Sequence, residues 1–193
     1  MSTFAHITLE GLDAPLTPAW PATGYAAACL HFDRAVAWRG VIAALGIDRR
    51  TPEITQQKLA RAQALYLLGS INFSLIKAGE LAALIALELA VMDCYGGELL
   101  KRKCGFAALL KHMVIADWLT DSDIPMVVHG GGTAIGQLVG DVHPTFPKRR
   151  NTLAHGDPFH GLPTVGLLEL VRDLIDYSYS DCIAEAASLG ALA

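Results

Sequence analysis

The side chains best suited to chemistry lie together, in the order Lys148-Arg149-Arg150-Asn151-Thr152-Leu153-Ala154-His155-Gly156. His155 carries the side-chain type whose ordinary pKa lies near neutrality, which suits proton transfer. Arg150 can meet a phosphate through two donors and oppose charge building on its oxygens. Helical geometry limits how these groups combine. Asn151 and His155 are four apart and share a face, whereas Arg150 and His155 are five apart and diverge by about 140°. Either the helix ends before His155, as Gly156 permits, or the working pairs form between subunits. The competing reading is a salt-bridged, capped helix with no activity.

The elements that must position this stretch are helical. From about Leu75 to Tyr95 the apolar pattern is nearly continuous, without period-two alternation and rich in alanine, so it reads as the central buried helix of a bundle. Glu80 suits the first turn of that helix. Glu88 has no such explanation, because it lies in the most apolar stretch, where an unpaired carboxylate costs several kcal/mol in round numbers. It either reaches a local donor or solvent, or points at the Arg150/His155 site. Gly96-Gly97 is expected to end the helix. Upstream, a helix is expected from Tyr25 to Leu45, and another after Thr51-Pro52, with Thr51 as cap. Downstream, helices are expected over Phe106–Leu119 and after Leu162-Pro163-Thr164. Trp20 and Trp38 read as packing residues. Residues 1–22, with Pro15, Pro18 and Pro21, read as an N-terminal arm, and 23–193 as a single domain.

Other candidates are weaker. Gly131 and Gly136 have the glycine spacing of a phosphate loop, but Gln137 and Leu138 replace the lysine and hydroxyl it needs, so residues 130–136 read as a flexible crossover. His129, His143, His155 and His160 match no metal-ligand spacing, and no metal or other cofactor is expected. Cys29, Cys94, Cys104 and Cys182 are scattered and read as buried thiols of a reducing compartment.

The composition is 52% hydrophobic and 18% charged, which excludes a disordered chain and implies much buried apolar surface, some of it between subunits. A net charge of -4 supplies no global attraction for nucleic acid, so any RNA contact must rest on a local patch. Met1–His6 has neither a basic head nor an apolar run, and Leu81–Met92 is too short to span a membrane. A soluble cytoplasmic protein is expected.

Arg150-Asn151-…-His155 resembles the Arg-polar-x-x-x-His signature of HEPN domains, the small helical modules of prokaryotic toxins, RNA-processing nucleases and nucleotide-binding relatives. The segment Leu81–Ala90 resembles the family helix that carries a glutamate, here Glu88, and the likeness covers roughly residues 55 to 185. One departure is Asp93, in the Val91-Met92-Asp93 segment where relatives often carry a basic residue. The resemblance implies an all-α fold, an up-down helical bundle of four to five main helices behind the irregular arm. It also implies a homodimer with a composite cleft and metal-independent RNA cleavage, in which the 2′-hydroxyl attacks phosphorus to leave a cyclic phosphate. Arg150, Asn151, His155 and Glu88 would form the catalytic set, with Asn151 orienting the imidazole or the phosphate. Lys148 and Arg149 would contact backbone phosphates. Two function classes stay open: an endoribonuclease acting as a toxin or defence component, or a non-catalytic module binding a nucleotide, RNA, an antitoxin or another partner protein.

Overall fold

The apolar run after Ser74 becomes a helix of 26 residues, because its alanines and leucines favour helix and can be buried on nearly every side. The structure is a computed structural model, and it describes residues 15–17, 31–72, 74–99, 105–156 and 166–190. The α-helices are α1 (Ala35–Ala43), α2 (Glu53–Leu67), α3 (Ser74–Leu99), α4 (Phe106–Ala116), α5 (Pro125–Gly130), α6 (Ile135–Val139), α7 (Phe146–Ala154) and α8 (Gly166–Gly190). Short 3-10 turns at Leu68–Ser70 and Asp121–Asp123 join some of them. Among the described residues there is no sheet, and the extended pairing is one antiparallel bridge between Leu16 and Phe32.

The expected bundle of four to five main helices is therefore corrected: the described residues form eight α-helices. The glycine-rich segment accounts for part of the difference. Pro125 opens α5, where its missing N–H costs nothing, and Gly131, at φ 75°, ends it. The Asp121 carboxylate accepts from the amides of Ala134 and Ile135 at 2.7 and 3.1 Å, and so caps α6 from outside its own segment. Helices α5 and α6 thus occupy a stretch whose glycines suggest a crossover. Helix α7, held by contacts to α3, stands apart as a further short element.

Other boundaries shift as well. Helix α1 is shorter than the expected Tyr25–Leu45 span, and Phe32, which falls inside that span, instead pairs with Leu16. Of the expected arm over 1–22, only residues 15–17 are described, and Trp20 lies outside the described residues. Thr51 does not cap α2: Pro52 holds that position, and the buried Thr51 hydroxyl has no partner among the described residues. Gly96 and Gly97 do not stop α3, since the packing it has already gained outweighs a cost of about 1 kcal/mol per glycine.

Helix α3 lies at the centre, packed against α2, α4, α7 and α8. Leu84, Leu87, Ala90 and Val91 are fully buried there, and each large apolar side chain contributes roughly 1.5–3 kcal/mol. Helix α2 approaches α3 closely at Gly79, where an added Cβ would lie 2.6 Å from the Tyr66 ring. Trp38 is fully buried, edge-on to Phe32, and donates from Nε1 to the Tyr66 carbonyl at 3.0 Å. Among the described residues no helix is long and apolar enough to cross a membrane.

Candidate functional site

The chemistry-bearing stretch forms α7 and its end. Thr145 caps the helix by accepting from the Lys148 amide at 3.3 Å, Pro147 occupies its first turn, and the buried Phe146 anchors it. The helix stops at Ala154. His155 is its C-cap, with its amide donating to the Asn151 carbonyl at 3.0 Å, and Gly156 follows at φ 72°, the left-handed conformation that favours glycine. The helix thus ends before His155, as Gly156 permits, but among the described residues no hydrogen bond joins the imidazole to Arg150 or Asn151.

Two arginines hold α7 against α3. Arg149 Nη2 lies 3.0 Å from Glu80 Oε1, and Lys77 Nζ lies 3.4 Å from Glu80 Oε2, so a carboxylate with 0% side-chain exposure meets two cations. Such burial is tolerated because the charge is paired. Tyr66 sits against this group; burial first, and the Glu80 charge second, push its phenol well above its ordinary pKa. Glu80 is the seventh residue of α3 and not a first-turn acid, which corrects the sequence expectation.

Arg150 Nη2 lies 2.8 Å from Glu88 Oε2, and Arg150 Nη1 donates to Asn151 Oδ1 at 3.0 Å. Here the side chains are about one-third exposed for the arginine and one-quarter for the glutamate. The guanidinium is thus fixed at both terminal nitrogens, while its buried Nε has no partner among the described residues.

The structure therefore brings Glu88, Arg150 and Asn151 together and leaves His155 apart. The His155 side chain is exposed, and among the described residues it takes no hydrogen bond or ion pair. Asn151 turns to Arg150 and not to the imidazole. Lys148 is exposed, and Arg149 is drawn into the Glu80 pair. Asp93, five residues beyond Glu88 and so about 140° around the helix, accepts from the Tyr179 hydroxyl of α8 at 2.8 Å. Glu80 was the residue whose role was missed. Its signal was present, since Glu80 and Glu88 are the only acids between Ser74 and Met92.

The remaining candidates have structural surroundings. His129 Nδ1 meets the Pro125 carbonyl at 2.7 Å, and its Nε2 lies 3.3 Å from Glu169 of α8. Among the described residues no three His, Cys, Asp or Glu side chains converge as a metal set, and His160 lies outside them. Of the expected buried thiols, Cys94 is half-buried and Cys182 exposed, while Cys29 and Cys104 lie outside the described residues.

No family model matches the chain, and no curated protein or solved structure matches it. The HEPN likeness thus rests on the motif residues and the Glu88 segment.

Proposed function

We propose that the α3–α7 face is a metal-independent endoribonuclease site, completed across the two-fold axis of a homodimer. The observation that carries this reading is the clamp on Arg150: Glu88 holds one terminal nitrogen and Asn151 the other, on the helix that ends at the exposed His155. A guanidinium already fixed meets a phosphate with little further loss of freedom. His155 takes the proton of an RNA 2′-hydroxyl, and the freed oxygen bonds to the adjacent phosphorus. The bond from phosphorus to the 5′-oxygen breaks, and that oxygen gains a proton, leaving a cyclic phosphate and a 5′-hydroxyl. Arg150 opposes charge on the remaining phosphate oxygens, and Lys148 contacts the backbone.

Two features support the dimer. Ile85 and Met92, one turn before and after Glu88, are 37% and 44% exposed, so a second copy seated there would cover apolar surface beside the Arg150 pair. A second copy also supplies a second imidazole. The likeness of Arg150-Asn151-…-His155 to the HEPN signature supports the same chemistry, and with it a toxin or defence role answered by an antitoxin.

A second reading has its own observation. Glu80 and Glu88 offset the charges of Arg149 and Arg150, which leaves Lys148 as the exposed cation of the motif. That arrangement favours a non-catalytic module binding a nucleotide, RNA or a protein partner.

The two are separated by incubating wild type with single-stranded and loop RNA in excess EDTA at low salt. The nuclease reading expects cyclic phosphate ends, their loss in His155→Ala with RNA affinity kept, and sedimentation at twice 20.6 kDa. Equal background rates for wild type and His155→Ala, both folded, would leave the binding module.

A further inference from the structure

A second region, unconnected with the motif, has the shape and chemistry of a ligand site. Where the end of α3, the end of α4 and the second half of α8 meet, there is a cavity of about 510 Å³. Such volumes fall in the range of small-molecule sites. Its walls include Tyr95, Asp117, Trp118, Tyr177, Asp181 and Cys182. Among the described residues no lysine, arginine or histidine lines it. The His112 ring lies edge-on to Tyr95, with the ring centroids 5.9 Å apart.

The carboxylates are held ready. Tyr95 donates its hydroxyl to Asp117 Oδ2, and Tyr177 donates to the Asp117 backbone carbonyl at 3.2 Å. Asp117 Oδ1 takes no protein hydrogen bond among the described residues, and the Asp181 side chain takes none either. Burial raises the Tyr95 and Tyr177 phenols above their ordinary range and pushes the Cys94 thiol up to about 12, so these groups stay neutral near pH 7. The cavity wall therefore carries the two negative charges of Asp117 and Asp181, with Asp123 adding negative potential at Tyr177.

Trp118 completes the wall in an unusual way. It follows the C-cap of α4 at φ 57°, the position and conformation where helices usually place glycine, and the residue is 84% exposed. The tryptophan lines the cavity while remaining largely exposed.

We propose that this cavity binds a small organic ammonium ion, its cationic head at Asp117 and its hydrocarbon body against Trp118 and Tyr177. Carboxylate and aromatic faces favour the same sign of charge: the ring quadrupole attracts a cation, and a carboxylate oxygen accepts from N–H. The aromatic walls and the volume select an organic cation over a bare metal ion, which would want a larger oxygen set than two carboxylates. A hollow of this size between the ends of α3 and α4 and the middle of α8 suits a small molecule. The site stands independently of the nuclease reading.

The test uses the full chain, with calorimetry and tryptophan fluorescence, and three probes of similar shape: phenethylammonium, neutral 2-phenylethanol and anionic 3-phenylpropionate. Saturable binding is expected for the ammonium ion alone. Asp117→Asn, which keeps an acceptor for Tyr95, should weaken it by roughly tenfold, and Trp118→Ala by roughly threefold. If Asp117→Asn loses its cooperative fold, Asp181→Asn, at an exposed side chain, should still weaken binding several-fold. The proposal is overturned by no saturable binding of the ammonium ion at millimolar concentration, by equal binding of the alcohol, or by folded aspartate variants that bind as wild type does.

Discussion

Near the start of α3 a fully buried carboxylate meets two cations, whereas towards its end a cavity holds two carboxylates and, among the described residues, no cation in its lining. Glu80, with Lys77 and Arg149, spends its charge inside the molecule and thereby fixes where α7 lies. Asp117 and Asp181 leave theirs directed at solvent and at whatever enters the cavity. Matched charge positions an element; unmatched charge is potential held for a ligand. Glu88 and Arg150 stand between these extremes, paired yet partly exposed, which is where a group can both hold a helix and meet a substrate.

The largest expected effect breaks the matched end. Glu80→Ala leaves Arg149 and Lys77 without their buried partner and should cost about 3–5 kcal/mol in urea unfolding. A loss no greater than that of an exposed pair would remove the distinction drawn between the two ends.

A smaller effect, of opposite sign, sharpens the unmatched end. Trp118→Gly relieves a left-handed conformation and should raise stability by about 1 kcal/mol, visible as a higher Tm, while weakening ammonium binding. A lower Tm would mean that the exposed indole stabilises the fold, and that its placement needs no ligand.

The smallest effect belongs to the pair between the extremes. Glu88→Ala should cost only about 0.5 kcal/mol, because both partners remain accessible to water. The same variant should lower RNA cleavage far more than it lowers stability, since Arg150 loses its anchor. Cleavage that follows stability alone would make the pair a plain staple.

These contrasts also show what a reader of the chain can and cannot see. The helical class was legible because apolar spacing and alanine content act locally, and the centrality of α3 followed from its unbroken apolar run. The pairing of Glu88 with Arg150 was legible as one of two alternatives, since a carboxylate in such a run requires a partner. Helices α5 and α6 were hidden because the cap of α6 comes from Asp121, a contact between separate segments that no local pattern announces. Glu80 was misplaced because the start of α3 lies several residues before it. The cavity could not be read at all: Tyr95, Asp117, Trp118 and Tyr177 come from three elements with no common spacing. Only packing brings them together.

The most direct test of the functional claim exchanges the charges of the intermediate pair. The double variant Glu88→Arg with Arg150→Glu keeps an ion pair between α3 and α7 but removes the cation that would meet phosphate. Stability and RNA cleavage are measured on the same preparation, in EDTA at low salt. The expected result is a folded protein with a Tm close to wild type, no cyclic phosphate products and weakened RNA binding. A swapped variant that cleaves RNA as wild type does would contradict the claim that Arg150 acts on the substrate.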